Sequence, residues 1–285
     1  MKGRQYRTKR DKKRITFILR IFPYSFVLKI IKTKNMKQVF LSFANQKGGC
    51  GKSSMTVLMS SYLHYLTRLN VLVVDADYPQ YSIYNLRKRD LDLIEKDTYF
   101  KRLAYTQLKT LEKTAFTILK STPEAAIETA EKYLRSFKNI CNIVLFDLPG
   151  TVQSSGVLAT LAGMDYVFVP LLGDRLVLES SFAFVKTLND VFVKNEKMRL
   201  KDLYLFWNQV DARERNDLYD SYNRIMQQLH FNLLDNKILD TKRFRKEILA
   251  DKRIVFRSTL FAPSRQFVKS SGLENLFAEI IKIVV

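Results

Sequence analysis

A glycine-rich segment containing two lysines carries the clearest chemical signal in the sequence. Residues 45–54 read NQKGGCGKSS, and Lys52 and Ser53 directly follow the last glycine. Closely spaced glycines let a backbone turn tightly and bring its N–H groups against phosphate oxygens. A lysine and a hydroxyl at this spacing suit the β- and γ-phosphates of a nucleotide and its Mg²⁺ ion. The segment therefore predicts a nucleotide-binding phosphate loop.

The sequence on either side predicts the elements that such a loop requires. Residues 38–44 form an apolar run typical of a buried parallel strand, which we expect to be the central strand of its sheet. Residues 52–69 repeat apolar side chains at three- and four-residue spacing and predict a helix. The positive N-terminal end of that helix would face the phosphates.

Three aspartates follow two further apolar runs. Asp75 and Asp77 come after residues 71–74, and Asp147 comes after residues 142–146. We expect these carboxylates at strand ends that face the phosphate loop, where they would have a functional role. A strand-ending aspartate is also a common turn former, so that structural role stays open for each of them.

Strands and helices alternate along the rest of the chain. This alternation predicts an α/β fold in a single domain, residues 36–285, with a doubly wound, mostly parallel sheet and helices on both faces. Residues 82–113 are charged and are predicted only as helical in general. The further predicted strands are 116–119, 166–170 and 203–207, and the further predicted helices are 123–137, 153–163, 177–194, 214–229 and 273–285.

Lys47 distinguishes this loop from a standard phosphate loop, which does not need it. The sequence KGGCGKS is the deviant Walker A motif, and through it the chain resembles the ParA/MinD family of P-loop ATPases, in particular the ParA-like branch. The segments VLVVDAD at 71–77 and DLPG at 147–150 resemble a strand and the Walker B turn of that family. Residues 78–80 resemble its D-P-Q turn with Tyr78 inserted, and in this the chain is most similar to ParA relatives from conjugative or other mobile elements.

The resemblance implies ATP and Mg²⁺ as cofactors and gives roles to individual residues. Lys47 would cross the interface of a nucleotide-sandwich dimer and contact the phosphates bound by the other subunit, which would couple ATP occupancy to dimerisation. Asp77 would orient the attacking water, Asp75 would support the metal site, and Asp147 would hold Mg²⁺ through a water. Asn208, at the end of a core strand, would read the adenine edge, with a simple strand cap as the alternative.

The residues that the resemblance implies fall into three sets. The catalytic set is Lys47, Lys52, Asp75 and Asp77. The nucleotide-binding set is Lys47, Gly48, Gly49, Cys50, Gly51, Lys52, Ser53, Ser54 and Asn208. The metal set is Ser53, Asp75 and Asp147.

Positive charge is concentrated in two parts of the chain. Of the net charge of +20, +11 lies in residues 1–35, which hold twelve Lys or Arg residues and one acid, and +9 lies in the other 250 residues. A second basic run, near the C-terminus, is either a solvated face or, by the resemblance, a surface that binds DNA non-specifically after ATP has dimerised the protein. Its predicted DNA-contacting residues are Arg243, Arg245, Lys246, Lys252, Arg253, Arg257 and Arg265.

Residues 1–35 form a basic and apolar N-terminal extension with three interpretations. They are upstream sequence that does not belong to the native protein, or a basic tail for nucleic acid or a membrane surface, or a membrane anchor. The apolar part, residues 15–31, is interrupted by Arg20, Pro23 and Lys29. It falls short of the roughly 18 clean apolar residues of a spanning helix, which disfavours the anchor.

The two cysteines, Cys50 and Cys141, show neither a disulfide framework nor a metal-ligand spacing. A reduced, cytoplasmic compartment is therefore expected, with association with the nucleoid if DNA is the partner. We expect Cys50 to be a small side chain of the loop without a redox role.

With these features, the resemblance implies an ATP-dependent dimerisation switch with weak ATPase activity, for which a ParB-like protein or a component of a DNA-transfer complex would be the activating partner. By the resemblance, it would act in DNA partitioning, maintenance or conjugative transfer. The alternative is a MinD-like positioning ATPase on a membrane surface, although no strong membrane signal follows residue 35. A related tyrosine kinase and an iron–sulfur ATPase are disfavoured, because the last tyrosine is Tyr222 and no C-x-x-C motif occurs.

Overall fold

A computed structural model of the chain describes residues 38–67, 69–136, 141–150, 154–211, 213 and 217–285. The predicted extension, residues 1–35, lies outside the described residues, so its three interpretations stay predictions. In the part of the chain that the structure describes, no helix combines the length and the apolar character needed to cross a bilayer.

One parallel sheet forms the centre of the domain. Its strands in chain order are β1 Val39–Phe43, β2 Val71–Asp75, β3 Thr117–Lys120, β4 Ile143–Asp147, β5 Tyr166–Leu171, β6 Asp202–Trp207 and β7 Asn232–Leu233. In space they run in the order β3-β2-β4-β1-β5-β6-β7, and each pair of neighbours is parallel. The prediction of a parallel sheet with the strand before the loop at its centre is confirmed.

Helices connect the strands. They are α1 Lys52–Leu66, α2 Ser82–Lys96, α3 Thr98–Leu111, α4 Ala126–Ser136, α5 Ser155–Ala162, α6 Arg175–Leu188, α7 Asp217–Gln228, α8 Arg265–Ser270 and α9 Leu273–Val284. The charged stretch predicted as generally helical is two helices, α2 and α3. They separate at Asp97, whose carboxylate caps α3 by accepting the backbone N–H of Tyr99 at 2.8 Å.

The alternation of side chains in β1 shows why both faces of the sheet are covered. Leu41 and Phe43 belong to an apolar cluster that includes Leu276 and Phe277 of α9. Phe40, the residue before Leu41, belongs to the other main cluster, together with Phe146 of β4. Successive side chains of a strand point to opposite faces, so one strand contributes to two cores and the sheet is doubly wound.

Three short strands near the C-terminus were not predicted. The two residues of β7 extend the parallel sheet beside β6. Two more, β8 Ile248–Leu249 and β9 Ile254–Val255, form a separate antiparallel ribbon. Elements of two residues are too short to show the alternation from which strands are predicted.

Strand β6 ends in Trp207, the one tryptophan of the chain. Its side chain is buried, and its indole Nε1 donates a hydrogen bond to Asn223 Oδ1 in α7 at 2.8 Å. Tyr219 packs edge-on against the indole ring, with the ring centroids 4.8 Å apart. Trp207 is thus held between the sheet and α7, directly before Asn208.

Candidate functional site

The glycine-rich loop joins β1 to α1, as the sequence predicts. Gly49 and Gly51 have φ angles of 77° and 84°, in the left-handed region that side chains rarely adopt. A Cβ atom on Gly51 would lie 2.9 Å from Asn208 Nδ2. Glycine is therefore required at position 51 for two independent reasons, the backbone conformation and the contact with Asn208.

The two lysines of the motif occupy different environments. Lys52 is buried, and its ammonium donates to the backbone carbonyl of Lys47 at 3.2 Å. Gly150 lies so close that a Cβ atom there would be 3.1 Å from Lys52 Nζ. The side chain of Lys47 is exposed to solvent. One lysine is thus enclosed by the loop and the turn after β4, and the other is accessible from outside.

Side chains that directly follow β6, and one from α6, brace the loop. Asn208 Nδ2 donates to the carbonyl of Cys50 at 2.9 Å, and Gln209 Nε2 donates to the carbonyl of Gly49 at 3.1 Å. Before the loop, Asn45 Nδ2 donates to Ser181 Oγ at 2.8 Å. The structure thus gives Asn208 a bracing contact, and its reading of adenine stays a prediction. Gln209 was not predicted, and no local pattern distinguishes it.

Cys50 lies in the loop with its side chain buried. Burial raises the pKa of its thiol, although the nearby charges of Lys52 and Lys47 act in the opposite direction. A raised pKa disfavours the reactive thiolate. The environment therefore supports the expectation of a small, unreactive side chain.

Two carboxylates stand side by side at the sheet edge that faces the loop. Asp75 and Asp147 are register partners at the ends of β2 and β4, and both are fully buried. Asp75 accepts the backbone N–H of Tyr84 at 2.8 Å, which secures the start of α2. Burial raises the pKa of Asp75, and hydrogen bonds from the backbone partly offset this rise.

Asp147 has no comparable support. Neither of its carboxylate oxygens has a well-formed hydrogen bond within the described residues. Burial, and next the charge of Asp75, raise the pKa of Asp147 to about 8, while Ser53 and Lys52 act against the rise. A buried carboxylate without a well-formed hydrogen bond is poorly satisfied, and Mg²⁺ binds such oxygens together with waters and phosphates.

The residues at this edge fit a Mg²⁺ ion. The Ser53 hydroxyl and the Asp147 carboxylate are close enough for Ser53 to lower the pKa of Asp147. Among the described residues, no group of three or more His, Cys, Asp and Glu side chains forms a complete metal cage. One or two protein oxygens completed by waters and phosphates are the usual environment of Mg²⁺, so Ser53 and Asp147 suit it.

Asp77 lies on the turn after β2, half-buried, and its Oδ2 accepts a hydrogen bond from Ser82 Oγ at 3.3 Å. The inserted Tyr78 is 56% exposed and lines the same cavity as Asp77, as does Gln80. The insertion therefore leaves both the aspartate and the glutamine of this turn at the rim of the phosphate loop.

A cavity of about 840 Å³ unites these elements. Most of the glycine-rich loop, the first turn of α1, Asp77 and Asn208 form one side of it. The segment after β7 forms the other side, which the sequence did not predict. Its contributing residues are Asp240, Thr241, Phe244, Arg245 and Arg257.

The predicted DNA-contacting residues do not share one environment. Arg245, Lys246, Lys252 and Arg253 are exposed, which is compatible with a DNA surface. Arg243, Arg257 and Arg265 are partly buried. Arg257 lines the cavity beside the phosphate loop, so the structure brings it to the nucleotide site together with Arg245. DNA contact by the seven residues stays a prediction.

A family profile, the CobQ/CobB/MinD/ParA nucleotide binding domain, matches residues 41–254, which is more than half of the chain. No curated protein matches the chain at a significant level. Several solved structures share its fold. The MinC:MinD cell division protein complex of Aquifex aeolicus aligns with a TM-score of 0.53 and 14% identity, over 86% of this chain and 95% of that one.

Two further structures are similar, and both contain nucleotides. A plasmid partition protein of Borrelia burgdorferi bound to AMPPNP aligns with a TM-score of 0.53 and 15% identity, over 87% of this chain and 99% of that one. Cobyrinic acid a,c-diamide synthase of Mycobacterium smegmatis, with an ATP analogue and magnesium, aligns with a TM-score of 0.51 and 21% identity. The alignment covers 72% of this chain and 88% of that one. With its loop, its sheet and the matching profile, the chain belongs to the CobQ/CobB/MinD/ParA family of nucleotide-binding proteins.

Proposed function

We propose that the protein is an ATP-dependent dimerisation switch that hydrolyses ATP slowly and binds DNA non-specifically in its dimeric form. The observation that carries the proposal is the contrast between the two lysines of one loop. Lys52 is enclosed beside the cavity, whereas Lys47, five residues earlier, is exposed. An exposed lysine beside a nucleotide site is available to the phosphates of a second subunit.

The described residues divide the work of phosphoryl transfer between them. Backbone N–H groups of the loop and the ammonium of Lys52 would bind the phosphates, and Ser53 and Asp147 would hold Mg²⁺. When bound, Mg²⁺ neutralises charge that develops on the phosphates. Asp77 orients the attacking water, and Lys47 of the other subunit stabilises the transition state. Because each site completes its charge only in a dimer, an isolated subunit hydrolyses ATP slowly.

The DNA-binding part of the proposal is supported by the exposed cations near the C-terminus. Arg245, Lys246, Lys252 and Arg253 lie within nine residues and are all exposed. Dimerisation would double their contacts with phosphates, and each contact releases counterions from DNA. Binding is therefore expected to depend on ATP and to fall steeply with salt. By the family resemblance, the process served is DNA partitioning, maintenance or conjugative transfer in the cytoplasm, with a ParB-like or transfer-complex partner as activator.

Light scattering and DNA binding with and without ATP test the proposal. Wild type should dimerise with ATP and bind a labelled random-sequence duplex, and Lys52→Ala should lose both properties because it loses ATP. Lys47→Ala should keep ATP but stay monomeric, and Asp77→Ala should accumulate as an ATP-bound dimer. The proposal would be overturned if DNA binding were equal with and without ATP, or if Asp77→Ala hydrolysed ATP at the wild-type rate.

A vesicle-binding assay on the same protein distinguishes the MinD-like alternative. Similar structures include a MinD complex as well as a partition protein. Vesicles containing anionic lipid replace DNA in a pelleting assay, with and without ATP. ATP-dependent pelleting with vesicles and no binding to DNA would support the alternative.

A further inference from the structure

Arg257 approaches the phosphate loop from the C-terminal ribbon. One end of its guanidinium, Nη1, donates a hydrogen bond to Ser54 Oγ, and the side chain lines the cavity. Ser54 directly follows Ser53 in the first turn of α1. Residues separate by about 100° around a helix, so Ser54 lies on a different side of α1 from Lys52 and Ser53. Arg257 therefore adds positive charge at a part of the loop that Lys52 does not serve.

The ribbon holds Arg257 in place through its backbone and its charge. The backbone N–H groups of Phe256 and Arg257 both donate to the carbonyl of Glu247, at 2.8 and 3.0 Å. The Glu247 carboxylate lies 3.5 Å from Arg257 Nη2 and 3.1 Å from Arg89 Nη2. One carboxylate thus orients the guanidinium of Arg257, and it is shared with Arg89.

The residues after Arg257 are fixed by a buried polar network. Asp90, which is buried, accepts the backbone N–H of Thr259 at 2.7 Å and its hydroxyl at 2.6 Å. Arg87 Nε donates to the Thr259 hydroxyl at 2.8 Å, and Tyr65 OH donates to the Thr259 carbonyl at 2.8 Å. Because this network anchors Thr259 to the core, the backbone that carries Arg257 is held in a fixed position.

The guanidinium also retains capacity for a ligand. Its side chain is only 22% exposed, and Nε is a buried donor without an acceptor among the described residues. Buried donors normally have partners, so an unused one beside a phosphate loop favours a role in binding an anionic ligand. The arginine fork matches phosphate oxygens in geometry and charge.

We propose that Arg257 binds the phosphate chain of the nucleotide held by its own subunit, at the part that ATP and ADP share. The inference rests on the proposed ATP binding and extends it with a residue that the loop motif does not contain. It also separates Arg257 from the exposed cations predicted to bind DNA, since its guanidinium is already directed to Ser54.

Calorimetric titration of the full chain with Mg²⁺ and either ADP or a non-hydrolysable ATP analogue tests the inference. Losing a charge-assisted hydrogen bond should weaken binding by about ten- to a hundredfold for Arg257→Ala. The loss should be equal for the two nucleotides, and Arg257→Lys should recover part of the affinity. Arg89→Ala, which removes the other cation on Glu247, is the matched control and should change either affinity less than about threefold.

The outcomes separate this inference from the function on which it rests. If wild type binds neither nucleotide, the proposed function fails. If wild type binds and Arg257→Ala binds equally well, or loses only the ATP analogue, the inference fails alone. Reduced DNA binding with unchanged nucleotide affinity would also overturn it. Should Arg257→Ala fail to fold, as judged by circular dichroism, Arg257→Met keeps the apolar stem and decides by the same criteria.

Discussion

Asp75 and Asp147 are register partners on neighbouring strands, yet only Asp75 has well-formed hydrogen bonds within the described residues. Asp75 is used to secure the start of α2, whereas neither oxygen of Asp147 accepts a well-formed hydrogen bond from the described residues. The same sequence pattern, an aspartate after an apolar strand, thus provides a structural anchor at one position and an unsatisfied ligand at the next. The metal-binding roles of Asp75 and Asp147 stay predictions, and the difference in hydrogen bonding favours Asp147 as the residue nearer to the ion.

Replacing Asp147 tests this difference. Asp147→Asn should raise the unfolding free energy of the nucleotide-free protein by about 1–2 kcal/mol, because it removes a buried carboxylate whose charge is poorly compensated. It should also weaken the binding of ATP in the presence of Mg²⁺ by roughly ten- to a hundredfold, because a ligand of the ion is altered. Urea unfolding and calorimetry measure the two effects. The assignment would be contradicted by a variant that is less stable than wild type. It would also be contradicted by a variant whose affinity for ATP with Mg²⁺ equals that of wild type.

Gly51→Ala should distort the loop through two effects, a strained backbone conformation and a close contact with Asn208. The left-handed φ of 84° is unfavourable for alanine, and the new Cβ would lie 2.9 Å from Asn208 Nδ2. We expect a loss of stability of about 1–3 kcal/mol and a loss of measurable ATP binding. Gly48→Ala is the matched control, because its Cβ would have no neighbour within 4 Å. Its unfolding free energy should stay within about 0.5 kcal/mol of wild type. Equal stability of the two variants would show that the loop relaxes freely.

Asn208→Ala distinguishes bracing from base recognition. It removes the hydrogen bond to the Cys50 carbonyl, which should cost about 1 kcal/mol of stability and reduce affinity for ATP. If Asn208 only braces the loop, the affinities for ATP and GTP fall by the same factor. If it also reads adenine, the preference for ATP over GTP falls. Gln209→Ala, which removes the exposed neighbouring brace, should leave that preference unchanged and serves as the control.

Acid should weaken the fold through His64, which is buried near the end of α1. Burial, and then the charges of Lys113 and Arg87, lower its pKa to about 4, against a carbonyl contact to Thr114 at 2.9 Å that favours the charged form. The unfolded chain, with an ordinary histidine pKa, therefore binds the proton first as pH falls. Stability is fully present above about pH 6.5 and is lost progressively down to about pH 4.

The size of this effect follows from the pKa difference. Between about pH 7.5 and pH 5, wild type should lose about 2 kcal/mol more stability than His64→Gln. Urea unfolding at the two pH values measures it. Buried acids with raised pKa, such as Asp90, act in the opposite direction but are common to both proteins. Parallel pH profiles for the two proteins would refute the role of His64.

The phosphate loop and the sheet were predictable because their signals are local. Glycine spacing, the apolar strands and the aspartates that end them each occupy a few consecutive residues, and parallel strands bring their carboxyl ends to one edge. Even the central position of β1 followed from the type of loop that it precedes. These segments could be predicted because their physical requirements leave little freedom in the choice of residues.

The other half of the cavity was not predictable, because its contacts span the chain. Arg257 contacts Ser54 across 203 residues, and Gln209 reaches Gly49 across 160. In sequence, Arg257 looks like one cation in a basic run, and only its burial and its partners distinguish it from Arg253. The ribbon that carries it consists of two-residue strands, which leave no periodicity to detect.

Trp207 has a practical consequence. It is the chain's one indole chromophore, and the next residue, Asn208, holds the loop through the carbonyl of Cys50. A change of the loop on nucleotide binding would therefore reach the immediate neighbour of a buried fluorophore. The native protein carries its own optical probe, so rapid-mixing fluorescence can follow occupancy of the site in real time without a label.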